Sequence, residues 1–230
     1  MELCIIIPAR NEALTLSDTI EKIINKLESV IPFNILVIND HSTDSTLKVL
    51  ENLSYRFSNF NYLSNSWSGG VGSAILFGLS HWKGDIVALC MADGSDAPDD
   101  ILLLYNKIRY QEYDCAFGSR FINGGKVVNY PFVKLVLNRI FNNIVRIKTR
   151  YNYNDFTNIF KVYNRHSIEV IFPIESTGFS IGLEMSLKAF KTKLRIAIIP
   201  ISWTQRKAGV SKLNLVKNFN IYVETFKKLI

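Results

Sequence analysis

Three short polar loops hold the residues of this 230-residue chain best suited to chemistry. They are Pro8-Ala9-Arg10-Asn11-Glu12, Asn39-Asp40-His41-Ser42-Thr43-Asp44 and Met91-Ala92-Asp93-Gly94-Ser95-Asp96-Ala97-Pro98. Each follows directly on an apolar run. Asp40 is of the type that accepts hydrogen bonds from a base or a ribose. Asp93, with Ser95 or Asp96 beside it, offers the hard oxygen ligands that Mg²⁺ or Mn²⁺ prefers, and diphosphate oxygens would complete the shell. The plain alternatives are a helix-entry loop, a turn and an Asx turn ahead of a capped helix. Gly69-Gly70-Val71-Gly72 begins a further segment, where free backbone N–H groups and the lack of side chains allow close approach to phosphate or sugar. No Lys follows at P-loop spacing, which argues against a P-loop kinase or GTPase.

The elements that must carry these loops are legible from apolar spacing. Residues 3–7, 34–38, 60–63 and 85–90 read as buried strands. Apolar residues at helical spacing between them give Leu16, Ile20, Ile23, Ile24 and Leu27, then Leu47, Leu50 and Leu53, then Ala74, Ile75 and Leu79. Strands alternating with helices imply an α/β fold: an open, mostly parallel sheet with helices on both faces. Ligands in such sheets bind beyond the strands' carboxyl ends, where the three polar loops fall. After Pro98 we expect a helix over 99–110, a strand over 115–120, and a long helix over 131–147 with Phe132, Leu135, Val136, Ile140 and Val145 inward. Further strands are expected over 159–163 and 196–202 with a helix over 182–189 between them, and a last helix over 215–230.

Composition narrows the class. Apolar residues make up 48% and charged residues 20%, which excludes a disordered or fibrous chain. Cys4, Cys90 and Cys115 lie in apolar runs without metal-ligand spacing and read as buried thiols of a reduced, cytoplasmic protein. No apolar run reaches the ~20 residues of a membrane span. The net charge of +7 gathers at Lys161 and Arg165, at 188–195 and at 206–228, which read either as a solvated surface or as attraction to phosphate-bearing partners; without RNA-binding signatures, nucleic acid is not expected.

The order of motifs is specific where no single one is. The P-x-x-N-E loop, the N-D-x-S-x-D loop, the G-x-G-x-A helix start, the A-D-x-S turn and Gly118-Ser119-Arg120 come in sequence. Asn154-Asp155-Phe156-Thr157-Asn158-Ile159-Phe160, Phe179-Ser180-Ile181-Gly182-Leu183-Glu184-Met185 and Arg206-Lys207-Ala208-Gly209-Val210-Ser211-Lys212 follow them. The set resembles the family 2 glycosyltransferases of GT-A fold, and within them the dolichyl- or polyprenyl-phosphate sugar synthase branch. The resemblance spans residues 3–213.

It implies a nucleotide-diphosphate sugar donor held by Pro8, Ala9, Arg10, Glu12, Asp40, Gly72, Asp93, Arg206 and Lys212. It implies a metal, Mg²⁺ or Mn²⁺, at Asp93 and Ser95. Arg120, Lys134 and Asn138 would receive the acceptor phosphate, and Asp155 and Glu184 would shape the sugar pocket. Met91 stands where the family's D-x-D has its first acid, and a thioether is a poor ligand for a hard ion. Asn39 likewise replaces a common acid.

The expected division is one GT-A domain over 1–213, with a nucleotide-sugar half (1–97) and an acceptor half (98–213) that includes a C-terminal lid, followed by an amphipathic helix (214–230). That helix suits a membrane surface, the core or a homodimer partner, so the chain is expected in the cytoplasm or peripheral at the inner face of the membrane. A lipid phosphate acceptor is already anionic and needs only positioning by Arg120 and Lys134. A glycan hydroxyl acceptor, as in surface polysaccharide assembly, would require Asp155 or Glu184 as base. Both imply an enzyme, and single displacement makes it inverting; the non-catalytic alternative is a nucleotide-sugar binding protein.

Overall fold

The computed structural model describes residues 1–206 and 215–230, the side chains of 215–218 excepted. The first strand, β1 (Leu3–Ala9), is apolar and buried along its whole length, as a central parallel strand covered on both faces must be. Its odd-numbered residues face one core with α1 (Leu16–Leu27), α2 (Thr46–Arg56) and α4 (Pro98–Gln111). Cys4 and Ile6 face the other core with α3 (Val71–His81) and α7 (Ile181–Lys191). In α1 the residues at 16, 20, 23, 24 and 27 are buried, as the spacing predicts.

The remaining elements are β2 (Phe33–Asn39), β3 (Phe60–Ser64), β4 (Ile86–Leu89), β5 (Cys115–Ser119), β6 (Lys126–Val128), α5 (Phe132–Thr149), β7 (Lys161–Asn164), α6 (Arg165–Ile171), β8 (Ile196–Pro200), β9 (Ser202–Thr204) and α8 (Leu215–Leu229). Among the described residues the main sheet has seven strands in the order β3-β2-β1-β4-β7-β5-β8. All pairs are parallel except those of β7, which runs antiparallel between β4 and β5. The strand order reverses between β1 and β4, so a crevice opens at their carboxyl ends. A parallel ribbon of β6 and β9 lies over that end and bridges to it through Asp96 and Trp203.

The fold class, the first four strands and the long helices agree with the expectation. The apolar stretch at 196–202 divides into β8 and β9, and α6 and β6 were not foreseen. The inward face expected for α5 is wrong for three of its five residues. Phe132 is 76% exposed, Ile140 49% and Val136 37%, while the buried residues of the helix are Phe141, Asn142 and Val145. The inward side carries Asn138 and Asn142 because they bond the loop before β7: Asn138 Nδ2 donates to Thr157 Oγ1 at 2.9 Å, and Thr157 N donates to Asn142 Oδ1 at 3.3 Å. The last helix packs on the body. Phe226 is buried, and Phe219, Tyr222 and Phe226 all meet the Phe141 ring, at 6.0, 5.5 and 6.4 Å.

All three cysteines are buried and free, and burial pushes the thiols of Cys4 and Cys115 up to about 12. Among the described residues, no helix is long and apolar enough to cross a membrane.

Candidate active site

A cleft of about 790 Å³ opens at the carboxyl ends of β1, β2 and β4 and runs beneath β9, α5 and α8. Pro8, Ala9, Arg10, Glu12, Asp40, Asp93, Ser95, Arg120, Lys134, Asn138 and Arg206 all line it. These residues lie up to 198 positions apart in sequence and meet because the sheet brings three strand ends to one edge. Tyr130, Asn158, Trp203, Gln205 and Tyr222 also line the cleft and were not singled out from sequence. Each arrives through a long-range pairing with no local signature, such as the β6–β9 ribbon.

At one end of the cleft the loops after β1 and β2 lock together. Asn11 Oδ1 accepts the Thr43 N–H at 2.7 Å, and Ser42 Oγ accepts the Asn11 N–H at 3.0 Å. Asp40 is 2% exposed and accepts from Asn65 Nδ2 at 3.0 Å and from the Gly70 N–H at 2.9 Å. It therefore fastens the start of α3 to the end of β2, with Arg10 Nη1 3.8 Å away. Gly72 does not line the cleft. A Cβ there would stand 2.4 Å from the Ser176 carbonyl oxygen, so the glycine serves the close packing of α3 on the 176–178 loop.

Arg206 spans the cleft floor. Its Nη2 lies 2.8 Å from Asp93 Oδ2 and its Nη1 3.3 Å from Glu12 Oε1, so one guanidinium joins the ends of β1 and β4. Lys134 faces the same space; burial first, then the Arg206 charge, lowers its ammonium below the ordinary value. Lys212, expected to act beside Arg206, lies outside the described residues.

Asp93 is held by its own turn, its Oδ1 accepting the Ser95 N–H at 3.0 Å. Asp96 points back to accept the Met91 N–H at 3.1 Å. Burial, then the charge of Asp93, raises the Asp96 carboxyl to about 7. Asp93, paired with Arg206, and Asp96 thus bring hard oxygens to one cleft, a donor set that fits a divalent cation. Among the described residues no cluster of three or more His, Cys, Asp or Glu forms a cage. The fit is to an ion that receives most of its oxygens from the ligand.

On the other side Arg120 is 8% exposed and Asp155 is fully buried. Arg120 Nε and Nη2 donate to Asp155 Oδ2 and Oδ1 at 2.8 and 2.7 Å, and the Arg120 backbone N–H donates to Oδ2 at 3.1 Å. Burial alone would push the guanidinium down; the Asp155 carboxylate more than offsets it and holds the charge. Tyr130 and Trp203 flank the guanidinium at 5.6 and 5.9 Å from ring centre. Lys161, expected to belong to a basic surface cluster, is instead fully buried and donates to the carbonyls of Phe156, Asn158 and Gly182. Burial brings its amine down to about 7.

Neither carboxylate expected as a base faces the cleft. Both oxygens of Asp155 serve Arg120. Glu184 accepts the N–H groups of Glu175 and Ser176 at 3.0 and 2.8 Å and pairs with Lys188 at 2.9 Å. Burial works against that charge, but these bonds keep the carboxyl below its ordinary value. Glu184 thus fixes the 175–178 loop against α3.

The crevice of the open sheet thus gathers carboxylates and guanidinium groups at its strand ends, an arrangement found in glycosyltransferases. The chain belongs to glycosyl transferase family 2, whose model matches residues 4–172. It is 29% identical to polyprenol monophosphomannose synthase of Mycolicibacterium smegmatis, over 91% of this chain and 80% of that one. It is 28% identical to undecaprenyl-phosphate mannosyltransferase of Micrococcus luteus, over 93% of this chain and 88% of the relative. Glycosyltransferase AglD of Haloferax volcanii is 26% identical over 95% of this chain, which spans only 35% of that longer protein. The fold matches glucosyl-3-phosphoglycerate synthase of Mycobacterium tuberculosis with a TM-score of 0.74, covering 98% of this chain and 79% of that one at 14% identity. The GT-A fold and the glycosyltransferase class expected from sequence are therefore correct.

Proposed function

We propose that the chain transfers a sugar from a nucleotide-diphosphate donor to a polyprenyl phosphate. The observation that carries this reading is the Arg120–Asp155 pair at the cleft: a held cation suits an acceptor that is itself an anion. Asp155 and Glu184, the bases expected for a hydroxyl acceptor, are both engaged elsewhere. The names of the relatives from M. smegmatis and M. luteus support the same acceptor class.

In this reading an acceptor phosphate oxygen, steered by Arg120 and Lys134, forms the new bond to the anomeric carbon. The bond from that carbon to the donor diphosphate breaks, and the nucleoside diphosphate leaves with the electron pair. Arg206 exchanges its carboxylate partners for diphosphate oxygens and stabilises the charge that grows there. Displacement from the far face inverts the anomeric centre. Asp93, with Ser95 and Asp96 beside it, would hold a divalent ion, which supplies further neutralisation of the diphosphate when bound. Solved complexes of the M. tuberculosis synthase contain Mn²⁺ and UDP, which supports that assignment.

The test is incubation with radiolabelled UDP-, GDP- and dTDP-sugars and a short-chain polyprenyl phosphate. Label extractable into organic solvent with at least one donor is the expected result. No lipid-soluble product with any of them, despite donor binding, overturns the acceptor assignment.

A further inference from the structure

Seven apolar side chains of α5 are exposed, whereas only Phe141 and Val145 among its apolar residues are buried. Phe132, Val133, Ile140, Ile144 and Ile147 are 76%, 62%, 49%, 45% and 74% exposed, and Val136 and Leu137 join them. At about 100° per residue these seven positions form one continuous arc on the side opposite Phe141, Asn142 and Val145. Exposed basic residues edge the arc on both flanks, Arg146 on one and Lys148 on the other, while Arg139, bonded to the Asn154 carbonyl, and Lys134, in the cleft, lie just behind them. The charge is concentrated here. Residues 115–154 contain seven Lys and Arg and no Asp or Glu, a local excess equal to the +7 of the whole chain. The same helix lines the cleft through Lys134 and Asn138, so the apolar arc begins beside the cleft mouth at Val133 and Leu137.

We propose that the outward face of α5 seats on a lipid bilayer carrying anionic headgroups. The apolar arc enters the interface and the flanking cations meet the headgroups, as an interfacial amphipathic helix does. A second copy of the chain would bring two strongly basic segments together, which like-charge repulsion opposes; an anionic lipid surface complements them. The C-terminal helix, for which the sequence left membrane, core and partner open, spends Phe226 and Tyr222 on the body of the protein. The link to catalysis rests on the proposed lipid acceptor: this seating sets the cleft mouth at the depth where a membrane-borne phosphate lies.

Vesicle flotation of the full chain tests it, using phosphatidylcholine alone or mixed with phosphatidylglycerol, without polyprenyl phosphate. The chain is expected to float with the anionic vesicles and to lose binding as salt rises. The double variant Ile140→Glu/Ile144→Glu should bind roughly ten-fold more weakly while keeping its melting temperature and its turnover of a water-soluble short-chain acceptor. Arg146→Glu/Lys148→Glu should lose the preference for anionic vesicles. Failure of the unmodified chain to float, or equal flotation of the Ile140/Ile144 variant, overturns the proposal. So does a dimer that the variant converts to monomer with vesicle binding unchanged. Because the vesicles hold no acceptor, these outcomes are independent of whether the acceptor assignment stands.

Discussion

Asp155 Oδ2 accepts both the backbone N–H and the Nε–H of Arg120, so one carboxylate fixes the chain and the side chain of the same residue. The guanidinium cannot swing without leaving a buried anion behind.

Removing that anion should therefore cost both stability and turnover. Asp155→Ala is expected to destabilise the fold by about 3–5 kcal/mol, the usual loss when one partner of a buried ion pair is deleted. Urea denaturation reads the stability. Calorimetric titration with the donor nucleotide should show affinity nearly unchanged, because the pair lies on the acceptor side. A large loss of nucleotide affinity in a folded variant would contradict the division of the cleft.

Arg206 gives the opposite signature in donor affinity. Its partners, Glu12 and Asp93, lie on the donor side. Arg206→Ala should weaken donor binding by about 1.5–3 kcal/mol, roughly ten- to a hundred-fold, as expected for a lost charged hydrogen bond. Thermal stability of the ligand-free protein should fall as well, because Glu12 and Asp93 lose the cation between them. Titration with the nucleotide sugar measures the first, and a melting curve the second.

The Asp96 carboxyl supplies a pH dependence with a definite sign. Its folded value, about 7, lies above the ordinary 3.8, so the folded chain holds a proton there that the unfolded chain has lost. Its contribution is present at pH 4 and disappears as pH rises through 7. Asp96→Asn should therefore raise the melting temperature of the ligand-free protein at pH 8 and leave it nearly unchanged near pH 4. Melting curves across that range check it; equal shifts at both ends would count against the assignment.

Gly72 tests the packing of α3 on the 175–178 loop. An added methyl meets backbone at 2.4 Å, with no flexible side chain to yield. Gly72→Ala should cost about 1–3 kcal/mol through overpacking. Glu184→Gln keeps the shape but loses the charge that holds the same loop, so it should lower stability while leaving turnover detectable. Denaturation curves and a product assay distinguish the two effects.

The cleft residues proposed to hold the donor were readable from sequence because they sit immediately after buried strands, where a parallel sheet must place a crevice. Arg10, Glu12, Asp40 and Asp93 all follow from that rule. The acceptor side was less so. Strand β7 reaches its neighbours only through pairings such as Leu89↔Lys161 and Phe117↔Lys161, far apart in the chain. Lys161 looked like a surface charge because nothing local announces the three carbonyls that receive it. Helix α5 is apolar on most of its circumference, so spacing alone did not choose the inward face. Asn138, Asn142 and Thr157 chose it, by hydrogen bonding that periodicity does not register. Asp155 and Glu184 were recognised as important residues, but their carboxylates turn inward to hold neighbours.

The position of β7 bears on how such proteins can be recombined. The neighbour of β4 on its outer edge is supplied from beyond residue 160, so the first 97 residues alone would present a bare strand edge. A chimaera joining the opening half of one relative to the closing half of another must therefore preserve the Ile86↔Asn164 to Leu89↔Lys161 register across the seam. Under the proposed donor assignment, exchanging the loops after β1, β2 and β4 leaves that register intact, whereas splicing halves does not.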